Sequence, residues 1–175
     1  MIRRGRLVFF LLAASVLVLD QIVKAVMTAQ LAPRGSVSVI PGLFSLTYVR
    51  NTGAVFGLFR SLPEPWRSLL LTLVPLAAVV FVIIMAMRTE PGRRWPLAAL
   101  GLILGGALGN LVDRIRFSSV VDFLDVYVGE YHWPAFNLAD SAICVGVGLL
   151  ILDILQNPAP DGDASPPPAG RAEGK

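Results

Sequence analysis

The sequence predicts an all-α membrane protein of four transmembrane helices, with a small extracytoplasmic β-sheet subdomain between helices 1 and 2. Three observations lead there. Of the 175 residues, 55% are hydrophobic and only 15% charged, against about 45–50% and about 25% in soluble domains. The mean hydropathy is +0.68. The apolar residues also gather into four long runs, a layout of membrane spans rather than of one soluble core. The net charge is +3 and the arginines are scattered, so no basic face suits nucleic acid. The single cysteine, Cys144, lies inside an apolar run and reads as a small core residue. The single histidine, His132, has no histidine or cysteine partner for a dedicated zinc site.

The first span is expected at residues 7–27, after Arg3, Arg4 and Arg6. A charged start and an apolar run also describe a signal peptide. The run is, however, long enough to cross a bilayer, which takes about 20 residues. Asp20 and Lys24 stand near its far end, one helical turn apart with the acid first. Two readings are open: a helix-end ion pair with a snorkelling lysine, or part of a functional site.

An outer loop, residues 32–67, interrupts the spans with Pro33, Gly35, Pro41, Gly42, Gly53, Gly57, Pro63 and Pro65. Ser36–Ile40 and Leu43–Val49 are short β-branched or aromatic runs between turn residues and predict strands. Next comes Arg50-Asn51-Thr52-Gly53-Ala54-Val55-Phe56-Gly57. On its own it reads most simply as a glycine-rich turn.

The second span is expected at 68–87, with Pro75 tolerated inside it. The third is expected at 95–111, carrying Gly101, Gly105, Gly106 and Gly109 for close helix packing. The fourth is expected at 137–155, with Gly146 and Gly148 as packing sites. Residues 1–156 thus form one integral membrane domain. Residues 157–175 are rich in Pro, Ala, Gly and Asp and predict a disordered cytoplasmic tail. Four spans place both termini on one side. The arginines before span one and at Arg88, Arg93 and Arg94 make that side the cytoplasm.

On this topology the polar residues of four segments meet at one depth, the outer membrane boundary. They are Asp20 and Lys24, then Asn51, then Asn110, Asp113 and Arg114, then Asp122, Asp125, Asn137 and Asp140. Ionisable groups are costly at that depth, and their convergence marks a functional site. Hydrolysis without a nucleophilic side chain can use two carboxylates that share a proton. No Gly-x-Ser-x-Gly accompanies His132. Asp122 is flanked by apolar residues, and Asp125 would point to the other face of a strand. Asp113-Arg114 reads as a local charge pair. Asp140 is also well placed as a helix-start acid after an Asn137 cap.

At these residues the chain resembles the bacterial lipoprotein signal peptidases, the signal peptidase II family. The motifs are Asp20-Gln-Ile-Val-Lys24, Asn51-Thr-Gly-Ala-Val-Phe-Gly57, Gly109-Asn110-Leu-Val-Asp113-Arg114, Val120-Val-Asp122-Phe123 and Phe136-Asn137-Leu-Ala-Asp140. Each is weak alone, and five in order are specific. The resemblance implies that Asp122 and Asp140 are an aspartic catalytic dyad. It implies that Asn51, Gly53, Asn110, Asp113, Arg114 and Asn137 position substrate or brace the dyad, supported by Asp20 and Lys24. The implied reaction removes signal peptides from diacylglyceryl-modified prolipoproteins, cutting before the lipidated cysteine. No metal or cofactor is expected. The implied setting is the bacterial inner membrane, with membrane lipids as surroundings, a monomeric enzyme and inhibition by globomycin. One departure is Ser118, where the family usually has glycine. The alternative classes are a small proton-coupled transporter, which would carry carboxylates at mid-depth and show internal repeats, and a non-catalytic membrane assembly factor.

Overall fold

The computed structural model describes residues 2–53, 62–63 and 65–157. The expected tail from residue 158 on, and Ala54 to Gly57 of the second motif, lie outside the described residues. Four helices are long and apolar enough to cross a membrane. They are α1 (Ile2–Leu31), α2 (Trp66–Arg88), α3 (Arg94–Phe117) and α4 (Leu138–Gln156). Among the described residues there are also four strands: β1 (Val37–Ile40), β2 (Phe44–Asn51), β3 (Val120–Val128) and β4 (Tyr131–His132).

Helix α3 is the hub, packed against α1, α2 and α4. Its mean hydropathy over the span is 1.6, against 2.1, 2.9 and 2.1 for the others. The helix that touches protein on most sides needs the least affinity for lipid. Its glycines make this contact close. A Cβ added at Gly105 would lie 2.6 Å from the Ala13 carbonyl oxygen of α1, and one at Gly106 would strike the Ala139 carbonyl of α4. Gly146 packs in the same way against Ala99. Gly148 departs from the expectation: nothing lies within 4 Å of its would-be Cβ. Cys144 is likewise exposed rather than in the core. Both correct one assumption. In a four-helix membrane protein much of each outer helix faces lipid, and apolar sequence does not distinguish lipid from core.

Phe9, Ala13, Val79, Val82, Leu97, Leu100 and Leu104 form the centre of the apolar core. At one end of the bundle, Arg6 Nη2 donates to the Met87 carbonyl, and Arg93 pairs with Asp153. The start of α1, the α2–α3 turn and the end of α4 are thereby tied together. The sheet occupies the opposite end.

The sheet is larger than a subdomain between the first two helices. Its order is β1-β2-β3-β4, antiparallel throughout, so the segment between α3 and α4 supplies half the strands. The sequence reading set Asp122 and Asp125 on a strand but did not join that strand to the sheet of the outer loop. Helix α3 also runs two turns beyond its expected end, to Phe117. Asn110, Asp113 and Arg114 therefore sit on successive turns of a continuous helix. The helix stops at Ser118, which takes the left-handed conformation (φ 53°, ψ 20°) and whose N–H donates to the Arg114 carbonyl. Left-handed backbone is where a glycine is ordinarily cheapest. Ser118 thus holds, with a side chain, a conformation that glycine adopts at less cost.

Candidate active site

The pairing of β2 with β3 aims the first two site residues. Leu46 lies opposite Leu124, but Val49 lies opposite Asp122. Strand β2 therefore spends one residue more than β3 across this gap, a bulge. Side chains alternate along a strand, so one extra residue reverses the face of everything after it. The bulge brings Val49 and Asn51 to the face of Asp122. Asn51 Nδ2 then donates to Asp122 Oδ2 at 3.0 Å. The other end of the Asn51 amide is fixed by Gly53, whose N–H donates to Asn51 Oδ1 at 3.0 Å. Arg114 reaches the Gly53 carbonyl at 3.4–3.5 Å. Asn51 and Gly53, from the stretch that read as an ordinary turn, are thus part of the site.

Helix α4 begins with a capping box. Asn137 Oδ1 accepts from the Asp140 N–H at 3.0 Å, and Asp140 Oδ2 accepts from the Asn137 N–H at 3.1 Å. Asp140 is therefore a helix-start acid, as its position suggested, and this role leaves its Oδ1 for the site. Asn110 Nδ2 donates to that Oδ1 at 2.8 Å. Asn137 is completely buried and joins the two aspartates. Its backbone N–H serves Asp140, while its Nδ2 donates to Asp122 Oδ1 at 2.7 Å. Asp122 and Asp140 are held by one residue, and each accepts two hydrogen bonds from neutral amides.

Asp122 is 2% exposed. Burial pushes its carboxyl up to about 6, and the negative charge of Asp140 adds to the rise. Hydrogen bonds from Asn51 and Asn137, and the charge of Lys24, act in the opposite direction. Two carboxyls in one desolvated site, with at least one raised toward neutrality, are suited to sharing a proton. Asp125 stands apart as its strand position predicts: it lies by His132 Nδ1 at 3.0 Å, and His132 stacks on Tyr127.

Asp20 and Lys24 are not a snorkelling surface pair. Their exposures are 0% and 3%, and Lys24 Nζ lies 2.8 Å from Asp20 Oδ2, 3.1 Å from Asp113 Oδ2 and 2.9 Å from Asn110 Oδ1. The ten residues that the family resemblance assigns to the site all gather at the sheet end of the bundle. One participant was passed over. Gln21 Nε2 donates to Asp113 Oδ1 at 3.0 Å and to the Gly109 carbonyl at 3.1 Å. Its only signal in the sequence is its place between Asp20 and Lys24.

Four membrane helices with two interlinked aspartates at one end, Asp122 buried and Asp140 half-buried, define a class, the aspartic peptidases of membranes. Comparison with known proteins makes this specific. The family model described as "Signal peptidase (SPase) II" matches residues 12–156, and the chain belongs to that family. It is 43% identical over 154 residues to the lipoprotein signal peptidase of Syntrophus aciditrophicus, covering 88% of this chain and 96% of the relative. It is 45% identical over 150 residues to that of Nitratidesulfovibrio vulgaris, covering 86% and 90%. Two solved structures of a bacterial membrane enzyme superpose with TM-scores of 0.71 and 0.74 at 28% and 27% identity. They cover 85% of this chain and 88% and 93% of their own. The chain is accordingly a multi-pass membrane protein and an aspartic peptidase of the signal peptidase II type.

Proposed function

We propose that Asp122 and Asp140 together activate water to cleave diacylglyceryl-modified prolipoproteins before the lipidated cysteine. The observation that carries this reading is Asn137, which donates to Asp122 through its side chain and to Asp140 through its backbone. A residue that binds both carboxylates fixes them as one unit. In the reaction the ionised member takes a proton from water as the oxygen attacks the scissile carbonyl. The protonated member hydrogen-bonds that carbonyl as negative charge develops on it. Asn51, Asn110 and Asn137 donate to the carboxylates throughout, and Arg114 holds the Gly53 loop beside them.

A dyad at the helix ends suits a substrate that the membrane delivers. Two acyl chains anchor stably, at about 0.8 kcal/mol per buried CH₂, and bring the bond to a fixed depth. The membrane is the bacterial inner membrane, with both termini and the tail in the cytoplasm and the sheet outside. The enzyme acts as a monomer among membrane lipids and is blocked by globomycin.

The test is cleavage of a lipidated precursor in detergent. Asp122→Asn and Asp140→Asn should each nearly abolish it, and the double variant should be little worse, because members of a unit are not additive. Full activity of Asp140→Asn would sink the dyad and leave Asp140 as a helix cap alone. The unlipidated precursor should be cleaved far more slowly, and equal rates would remove the lipid requirement.

A further inference from the structure

Behind the dyad lies a closed ring of four side chains. Lys24 Nζ bridges Asp20 Oδ2 at 2.8 Å and Asp113 Oδ2 at 3.1 Å. Gln21 Nε2 closes the other side, 3.0 Å from Asp113 Oδ1 and 3.3 Å from Asp20 Oδ2. Asp20, Lys24 and Asp113 are at most 3% exposed. The ring fits against bare backbone, since a Cβ at Gly109 would come within 2.5 Å of Asp20 Oδ2.

The remaining contacts of the two ring carboxylates have a pattern. Asp20 Oδ1 accepts from the Ala139 N–H at 3.0 Å, and Ala139 immediately precedes Asp140. Asp113 Oδ2 accepts from the Val121 N–H at 3.1 Å, and Val121 immediately precedes Asp122. Each ring carboxylate thus grips the N–H of the residue that precedes one member of the dyad. Helix α1 supplies one grip and α3 the other, while Lys24 and Gln21, both from α1, hold the two grips together.

We propose that this ring sets the separation of the two catalytic carboxylates, with Lys24 and Gln21 as positioning residues that couple them. The inference rests on the aspartic reading and deepens it. Stability alone is a poor reason for the ring. Two buried carboxylates and one ammonium are expensive to desolvate, and a well-packed apolar replacement is often no less stable. A charged bridge does supply a second short, directional tie between two backbone segments that the Leu124–Phe136 bridge joins at the sheet and that Asn137 Nδ2 joins by donating to the Val121 carbonyl at 3.3 Å. Small displacements matter here, because an error of about 1 Å in a reacting geometry can cost about 10²-fold in rate.

Coupling is what separates this proposal from two independent braces. Lys24→Met keeps the side-chain length and removes the bridge. Amide hydrogen exchange at Val121 and Ala139, read by NMR in detergent, should accelerate roughly tenfold at both sites, about the loss of one hydrogen bond. Lys24 bonds to neither amide. Exchange in the core of α2, at Val79, should stay unchanged and thereby exclude general loosening. On the lipidated precursor, kcat should fall about 10²-fold with KM nearly constant, since geometry and not binding is disturbed. Gln21→Met, which removes the second bridge without touching a charge, should move the same two amides to a smaller extent and serves if Lys24→Met does not fold. Acceleration at only one amide, at neither, or with an unchanged kcat overturns the coupling. The exchange measurement needs no turnover. An inactive dyad reading and a failed ring are therefore told apart by Asp122→Asn, which tests the former and leaves the ring intact.

Discussion

Replacing Asp122 by asparagine should destroy turnover and, at neutral pH, make the protein more stable. The carboxyl stands at about 6 in the fold, against 3.8 for the free group. A raised acid binds its proton more tightly folded than unfolded. Its contribution to stability is complete below about pH 4 and is lost as pH climbs through 6. Ionisation of Asp122 therefore costs the folded state about 3 kcal/mol by pH 7.5, at about 1.4 kcal/mol for each pH unit between the two values. Asparagine never ionises and escapes that cost. It gives some back, because Asn51 and Asn137 both aim N–H groups at Asp122, and an amide offers them one oxygen where the carboxylate offers two. One lost hydrogen bond is worth about 1 kcal/mol. The net expectation is a gain of about 2 kcal/mol at pH 7.5, or about 4–8 °C in melting temperature for a chain of this size. Below about pH 4 the sign reverses, and the variant should be about 1 kcal/mol the less stable. Thermal unfolding in one detergent across pH 4–8, beside the cleavage assay, measures both effects. A stability difference that does not change with pH would refute the reasoning, as would a variant less stable throughout.

Ser118→Gly should raise stability by about 1 kcal/mol in the same unfolding assay, because Ser118 sits at φ 53° where a Cβ is penalised; a loss of stability would mean that its hydroxyl has an unrecognised partner. Asp125→Asn should retain substantial cleavage, since Asp125 pairs with His132 and not with the dyad; an inactive variant would redraw the site. In a Cys144→Ala background, single cysteines at Ser36 and Ser118 should react with an impermeant thiol reagent added outside intact cells, and one at Thr89 should not. Labelling at Thr89 alone would invert the orientation.

The four spans were legible because a helix that crosses lipid must be long and apolar whatever it packs against. Asp122 stood out for the complementary reason that an acid flanked by apolar residues has no cheap structural excuse at that depth, whereas Asp140 read equally well as a helix-start acid, and the pairing of the two came only with the family resemblance. The β2 bulge was not legible. Thr47 and Tyr48 fit a regular strand as well as a bulge, and only pairing with β3 shows that one residue is surplus. Without the bulge Asn51 would face away from Asp122, so its hydrogen bond to that carboxylate was hidden with it. Cys144 and Gly148 were misplaced because lipid and protein core select the same apolar residues.

Gln21 shows where single-residue reasoning stops. An amide beside two charged residues carries no chemistry of its own, and on a helix it could face solvent, lipid or a neighbour. Its meaning comes from α3, where Gly109 leaves a bare carbonyl and Asp113 presents an oxygen one turn further on. The same dependence runs through the whole site. Asp140 is a helix-capping acid until Asn110 approaches from α3, and Asn137 is a cap until β3 brings Asp122 to its amide. The sequence supplies residues able to play two parts, and the close approach allowed by the α3 glycines lets them play both. Anything that widens the α1–α3 or α3–α4 contact should therefore cost activity before it costs the fold. The helices can separate slightly and remain helices in lipid, whereas hydrogen bonds of 2.7–3.1 Å between Asn110, Asn137, Asp122 and Asp140 cannot stretch and persist.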